Sequence, residues 1–278
     1  MREIPVSKIK DTIEKLLREA AWNLPLEVEE ALNDALAHES SPVGREILRE
    51  LIKNAEIARS QKLPICQDTG MAVVFIELGE EVVITGGNIY DAINEAVKTA
   101  YKDLRKSIVI DPFNRENTND NTPANIHVEI VQGDTLKIKV LPKGGGAENA
   151  SIVKMFLPTA LQDEISDFIV EQVKLNGPKA CPPIILGIGI GGAFDTVATL
   201  AKKALLRPLK SHSTHHDIKQ MEKNILERIN KTGIGPMGVG GNITALAVHI
   251  ATAPCHIASM PVAINFQCHA HRYKEETI

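Results

Sequence analysis

Apolar side chains recur at helical spacing from the start of the chain. Ile9, Ile13, Leu16 and Leu17 fall on one helical face, and residues 1–60 read as a helical prologue. Ser41-Pro42 adds an N-cap and first-turn signal within it. The pattern then changes: residues 71–78 and 82–85 read as strands and 90–104 as a helix. Alternation over 126–131 and 136–140, joined through Gly133-Asp134, predicts a β-hairpin. Polar loops flank it at 111–123 and 143–149, the kind of segment on which sites are assembled.

Farther on, the pattern predicts a helix over 159–175, a short apolar run over 184–190, and helices over 193–206 and 218–229. The tail is Gly-rich and then strand-like. The expected fold class is α+β (mixed α/β), a helical N-terminal region followed by mixed β-sheet segments packed with helices. No internal repeat, low-complexity segment or linker interrupts the chain, so 1–278 reads as one domain, with the chemistry in 61–278.

At 278 residues, 44% hydrophobic and 24% charged, the chain can bury a substantial core. No apolar stretch is long enough to span a bilayer, and the opening Met-Arg-Glu-Ile-Pro-Val-Ser-Lys-Ile-Lys lacks a signal peptide's apolar region, so the expected location is cytoplasmic. A net charge of -4 and 4% aromatic content leave no electrostatic or stacking footprint for nucleic acid or a membrane surface. An anionic ligand would therefore be held by local groups.

Several glycine runs are candidates for such groups. Gly187-Ile188-Gly189-Ile190-Gly191-Gly192 satisfies G-x-G-x-x-G after an apolar run and before a helix, as a dinucleotide-binding turn does. The sequel, Arg207-Pro208-Leu209-Lys210-Ser211-His212, brings no second apolar strand ending in an acidic ribose ligand. Close helix packing, or anion contact at a helix N-terminus, fits the run better than a nicotinamide-dependent dehydrogenase does. Gly144, Gly145 and Gly146 could present bare N–H donors to a carboxylate or form a flexible turn. Residues 233–241 hold five glycines in nine positions, which suggests a loop passing near another backbone, a subunit or a ligand.

Among the histidines, His212, His215 and His216 precede a predicted helix without any accompanying Cys and read as a solvated helix start. His249 lies in an apolar run and reads as a satisfied core residue. His256, after Pro254-Cys255 at an apparent strand break, is the better acid-base candidate. The four cysteines form no C-x-x-C pair and as thiols alone need no function. Three of them, Cys66, Cys181 and Cys268, stand beside loop-forming or polar neighbours, a pattern open to a metal cluster with one free coordination position.

Four stretches together carry a resemblance: Cys66-Gln67-Asp68-Thr69-Gly70, Asn117-Thr118-Asn119-Asp120-Asn121-Thr122-Pro123, Cys181-Pro182-Pro183 with the glycines after it, and the region from Gly233 through Arg272. In this order they resemble the iron–sulfur class I fumarase and tartrate dehydratase family over about positions 5–273. The resemblance implies a hydro-lyase whose 4Fe-4S cluster is held by Cys66, Cys181 and Cys268, with Cys255 left out.

It also implies an alpha subunit that shares its active site with a separate beta subunit, in an alpha2beta2 assembly. The reaction would be hydration of fumarate to (S)-malate, a step of the tricarboxylic acid cycle, or dehydration of tartrate to oxaloacetate. Gln67 and Asp68 match substrate-pocket residues, Arg105 an arginine on a substrate carboxylate, Gly144 to Gly146 a substrate-facing glycine segment, and His256 a pocket histidine. Asp68 and His256 would manage the proton of the departing water, and the proton-abstracting base would come from the partner. Ala147 departs from the serine of many relatives, which puts one local hydrogen bond in doubt. A non-catalytic scaffold subunit is the remaining alternative.

Overall fold

The computed structural model describes residues 1–278. Along the chain run β1 (Arg2–Pro5), α1 (Val6–Trp22), α2 (Leu26–His38), α3 (Pro42–Gln61), β2 (Met71–Gly79), β3 (Val82–Thr85) and α4 (Ile89–Ala100). There follow β4 (Asn125–Val131), β5 (Leu136–Lys143), α5 (Gly145–Asn149), β6 (Ile152–Phe156) and α6 (Gln162–Asn176). The remainder comprises β7 (Ile184–Gly192), α7 (Thr196–Ala204), α8 (His216–Asn230), β8 (Ala245–Cys255), β9 (Met260–Gln267) and β10 (Lys274–Thr277). The class is the expected α+β, helical at its start. None of the helices is long and apolar enough to cross a membrane.

The chain divides into two compact units. The first draws on Met1–Pro25, Asn54–Gly145 and Arg272–Ile278, the second on Leu26–Lys53 and Gly146–His271. The helical first sixty residues thus contribute to both.

In the first unit the sheet order is β10-β5-β2-β4, with β1 and β3 forming a separate parallel pair. β2 is parallel to β4 and antiparallel to β5. A parallel pair needs a crossover connection, and α4 lies in it. Asn88 starts that helix by accepting the Tyr90 N–H at 2.8 Å. Ile9, Ile13 and Leu17 of α1 and Ile93 and Val97 of α4 pack with Val74 and Ile76 of β2 and Ile138 and Val140 of β5.

The expected hairpin between 126–131 and 136–140 does not form. β4 and β5 flank β2 on opposite sides, and the link between them crosses the end of β2. There Gly79 N–H donates to Thr135 O at 2.9 Å and Glu80 N–H to Val131 O at 2.8 Å. Two strand spacings are about 9.6 Å, which the short link spans when extended. β2 takes the centre because Ala72, Val73, Val74, Phe75 and Ile76 are all buried, on both faces of the strand. Gly79 is required at the crossing, since a Cβ would lie 2.4 Å from Gly133 O.

The second unit repeats this connection pattern. Its sheet order is β6-β9-β7-β8, β7 is parallel to β8 and antiparallel to β9, and the β8–β9 link again bypasses the strand between them. The sequence pattern missed β6, a short strand with exposed Lys154 and Met155. Leu186 and Ile188 of β7 face a core with Ile169 and Val173 of α6 and Ile225 and Ile229 of α8. On the other face, Val197 and Ala201 of α7 pack with Ala263 of β9. Burial on both faces explains why the strand reads as one apolar run.

The G-x-G-x-x-G run lies inside this strand and is not a phosphate-binding turn. A Cβ on Gly187 would sit 2.1 Å from Ala201 O and one on Gly189 2.5 Å from Val197 O, so these glycines let α7 lie directly on β7. Gly187→Ala is therefore expected to cost about 3 kcal/mol through overpacking. A urea unfolding midpoint equal to that of the parent would refute this account.

The 233–241 loop passes close to its own backbone. A Cβ on Gly235, whose φ is +68°, would meet the Gly240 carbonyl at 2.3 Å. The loop also closes over the Glu39 carboxylate, 2% exposed, which accepts the N–H groups of Ser41 at 2.8 Å and Ile243 at 2.9 Å.

Candidate active site

In the first unit the segment between α3 and β2 carries Cys66, Gln67 and Asp68. It is anchored by Ile65, whose N–H donates to Ala21 O at 2.9 Å and whose carbonyl accepts Asn54 Nδ2, also at 2.9 Å. Asp68 N–H donates to Cys66 Sγ at 3.4 Å, and Cys66 Sγ donates to Gln67 Oε1 at 3.7 Å. Both Asp68 carboxylate oxygens bind backbone: Oδ1 accepts Gly70 N–H at 2.9 Å and Oδ2 accepts Gly145 N–H at 2.7 Å. Asp68 thereby ties the chain beside Cys66 to the glycine segment after β5.

That segment differs from a flexible polar loop. β5 continues to Lys143 and α5 begins at Gly145. Gly144, Gly145 and Gly146 do not have positive φ. Space is what they supply: a Cβ on Gly144 would lie 3.2 Å from Asp68 Oδ2. Gly70, with φ +78°, needs both, because its Cβ would lie 2.8 Å from Lys143 O.

Arg105 is held by its backbone. Its carbonyl accepts Thr69 Oγ1 at 2.6 Å and Asn121 Nδ2 at 3.2 Å, while Asn121 Oδ1 accepts Ser107 N–H at 2.7 Å. Asn117 Nδ2 donates to Lys106 O at 3.1 Å. The Asn-rich motif thus fixes the Arg105 segment. Cys66, Gln67, Thr69 and Arg105 line one cavity of about 100 Å³. Two further wall residues, Tyr101 and Arg272, were not singled out from the sequence, because their burial is set by tertiary packing.

In the second unit Cys181 follows a short 3-10 turn at φ +54°, and Cys268 follows β9. The two segments are joined through His269, whose N–H donates to Cys181 O at 3.3 Å while its Nδ1 lies 3.1 Å from the same oxygen. Cys255 ends β8, and its Sγ donates to Ser259 O at 3.3 Å. His256 is exposed in the β8–β9 link. Its Nδ1 accepts Ala258 N–H at 3.1 Å, which leaves the proton of the neutral ring on Nε2.

No disulfide joins the cysteines. The structure gathers no three His, Cys, Asp or Glu side chains around a single ion position. In an iron–sulfur cluster each thiolate binds its own iron, so the ligand sulfurs need not converge on one point. Cys66 in the first unit and Cys181 and Cys268 in the second are soft thiol donors, each of the donor type that such a cluster takes.

The other histidines stand apart from this chemistry. His212, His215 and His216 are exposed at the start of α8. His249 is 1% exposed, as a core residue should be, yet neither ring nitrogen has a hydrogen-bond partner. Burial first, and then the charge of Arg207, push its pKa down to about 3, so the ring stays neutral.

Comparison with known proteins adds the family. Residues 10–277 match the family model described as Fumarate hydratase (Fumerase). The chain is 42% identical over 272 residues to a Methanocaldococcus jannaschii protein that bears the provisional name L(+)-tartrate dehydratase subunit alpha, covering 95% of each. It is 29% identical over 272 residues to L(+)-tartrate dehydratase subunit alpha of Escherichia coli UTI89, covering 96% of this chain and 89% of the other. A match that runs through both units and spans every candidate residue from Cys66 to Cys268 places the chain in the fumarate hydratase (Fumerase) family of hydro-lyases.

Proposed function

We propose that this chain is the alpha subunit of a two-subunit iron–sulfur hydro-lyase that reversibly hydrates fumarate to (S)-malate. The observation that carries the reading is the cavity of the first unit, which Cys66 and Arg105 both line. The relatives' names, each ending in subunit alpha, support a partner chain. A beta subunit completing the active site, an alpha2beta2 assembly and a cytoplasmic location belong to the same proposal.

Cys66, Cys181 and Cys268 would hold the 4Fe-4S cluster. When bound, the cluster supplies Lewis acidity toward the hydroxyl that leaves malate. The chain's own residues bind and orient the substrate. Arg105 offers a bidentate fork to a carboxylate and Gln67 a neighbouring amide. Gly144, Gly145 and Gly146 keep the approach free of side chains, and Asp68 positions them through Gly145. His256 can donate a hydrogen bond from Nε2 to the departing oxygen, and with Asp68 beside the Cys66 ligand it would manage the proton of the departing water. The base that removes the carbon-bound proton would come from the partner.

Dehydration of tartrate to oxaloacetate is a second reading, favoured by the relatives' names. Co-expression with the beta chain, anaerobic cluster reconstitution and assay on fumarate, malate and both tartrate enantiomers separate the two. The expected result is faster turnover of fumarate than of either tartrate, with little activity from this chain alone. Faster turnover of a tartrate replaces the main reading with the second. Full activity without a partner removes the two-subunit assignment.

A further inference from the structure

The cavity beside Cys66 contains two buried polar groups that the protein leaves incompletely satisfied. Tyr101, just after α4, is 1% exposed, and its hydroxyl has no hydrogen-bond partner. Arg272, just before β10, is 3% exposed; its Nη2 donates to Asp68 O at 3.0 Å, while Nε has none. No carboxylate of the chain forms a salt bridge with this guanidinium. The one acidic residue in the cavity wall, Asp103, is exposed.

A buried cation without a counter-charge is costly, and so is a buried hydroxyl without a partner. Both residues line the same small space and Arg272 acts electrostatically on Tyr101, so one ligand bound there can serve both. Water could satisfy the hydroxyl but would leave the charge uncompensated. A carboxylate supplies a negative charge and two acceptor oxygens, the complement of a guanidinium N–H and a phenol O–H. Burial raises the Tyr101 pKa well above its ordinary value, so the phenol remains a donor at any working pH. Arg105 lines the same cavity.

We infer that Arg272 and Tyr101 together bind one carboxylate of a dicarboxylate substrate whose other carboxylate is held by Arg105, an inference that rests on the hydro-lyase reading above. The two arginines then select for molecules with an acid group at each end. Arg272 has a second task, holding the Asp68 carbonyl and with it the chain next to Cys66.

The test is calorimetric titration of the anaerobically purified enzyme with succinate, an unreactive four-carbon dicarboxylate. Tyr101→Phe keeps the ring and removes only the hydroxyl. It is expected to weaken succinate binding about tenfold and to raise KM for the substrate similarly. A purely structural role predicts the reverse: an unpartnered hydroxyl would be lost, stability would be unchanged or improved, and binding would stay the same. Arg272→Lys keeps a charge but not the fork, and about a hundredfold loss is expected. Should that variant fail to fold, Tyr101→Phe still decides the matter.

Absence of succinate binding by the parent enzyme, or an unchanged dissociation constant in Tyr101→Phe, overturns the carboxylate corner. An enzyme that hydrates fumarate with both constants unaltered in Tyr101→Phe keeps the functional reading and loses this one. An enzyme that binds succinate in the predicted order of variants yet turns over neither fumarate nor tartrate does the opposite.

Discussion

Serine at Cys66, Cys181 or Cys268 is expected to eliminate the 4Fe-4S absorbance after anaerobic reconstitution and to lower turnover by at least about 10³-fold. Cys255→Ser is expected to retain both. Serine is close in size to cysteine, so packing survives, but its hydroxyl is a hard donor that remains protonated where a thiol gives up its proton to iron. At Cys66 the Asp68 N–H already points at Sγ. Cys255 Sγ donates to Ser259 O within the β8–β9 link, and the family resemblance leaves this cysteine out of the ligand set. A fourth protein thiolate would also fill the coordination position that substrate needs. Full absorbance in any of the first three variants would break the ligand assignment, and its loss in Cys255→Ser would rewrite it.

The elements that could be read in the sequence are those whose packing is uniform along their length. β7 is covered on both faces and appears as a continuous apolar run, and α8 shows its buried stripe at Met221, Ile225 and Ile229. Strand pairing was less legible. Two short alternating strands joined by a tight link look the same whether they pair with each other or flank a third. What decides between the two is β2, some fifty residues upstream, whose burial on both faces claims the central position. The second sheet conceals the same arrangement around β7, and no sequence repeat announced it.

The glycine runs show the same limit. G-x-G-x-x-G and the 144–146 segment are both places of close approach, but the approaching group is a helix backbone in the first case and Asp68 in the second. The resemblance supplied the cysteines, Gln67, Asp68, Arg105 and His256 as candidates. It did not reveal that Asp68 spends both oxygens on backbone N–H groups, or that Asn121 holds the Arg105 carbonyl. Tyr101 and Arg272 stayed hidden because what marks them is a missing partner inside a cavity, which only the folded chain can show.

Arg105→Ala is expected to reduce kcat/KM on the order of 10²- to 10³-fold while leaving cluster absorbance and the unfolding midpoint near those of the parent. The separation follows from how the residue is held. Thr69 and Asn121 grip its carbonyl, a contact indifferent to the side chain, and the side chain itself is exposed in the cavity wall. Truncation therefore removes a guanidinium without leaving a buried partner behind. Because that guanidinium would hold one end of the substrate in both the ground and transition states, the loss should appear in KM as well as kcat. Arg105→Lys should recover only part of it, since an ammonium lacks the planar fork that matches a carboxylate. Asn121→Ala offers the contrasting case: Asn121 is 0% exposed, and its removal should lower stability and activity together by releasing the segment that presents Arg105. Normal kinetics in Arg105→Ala would end its assignment to substrate binding, and loss of the cluster in that variant would make the residue structural.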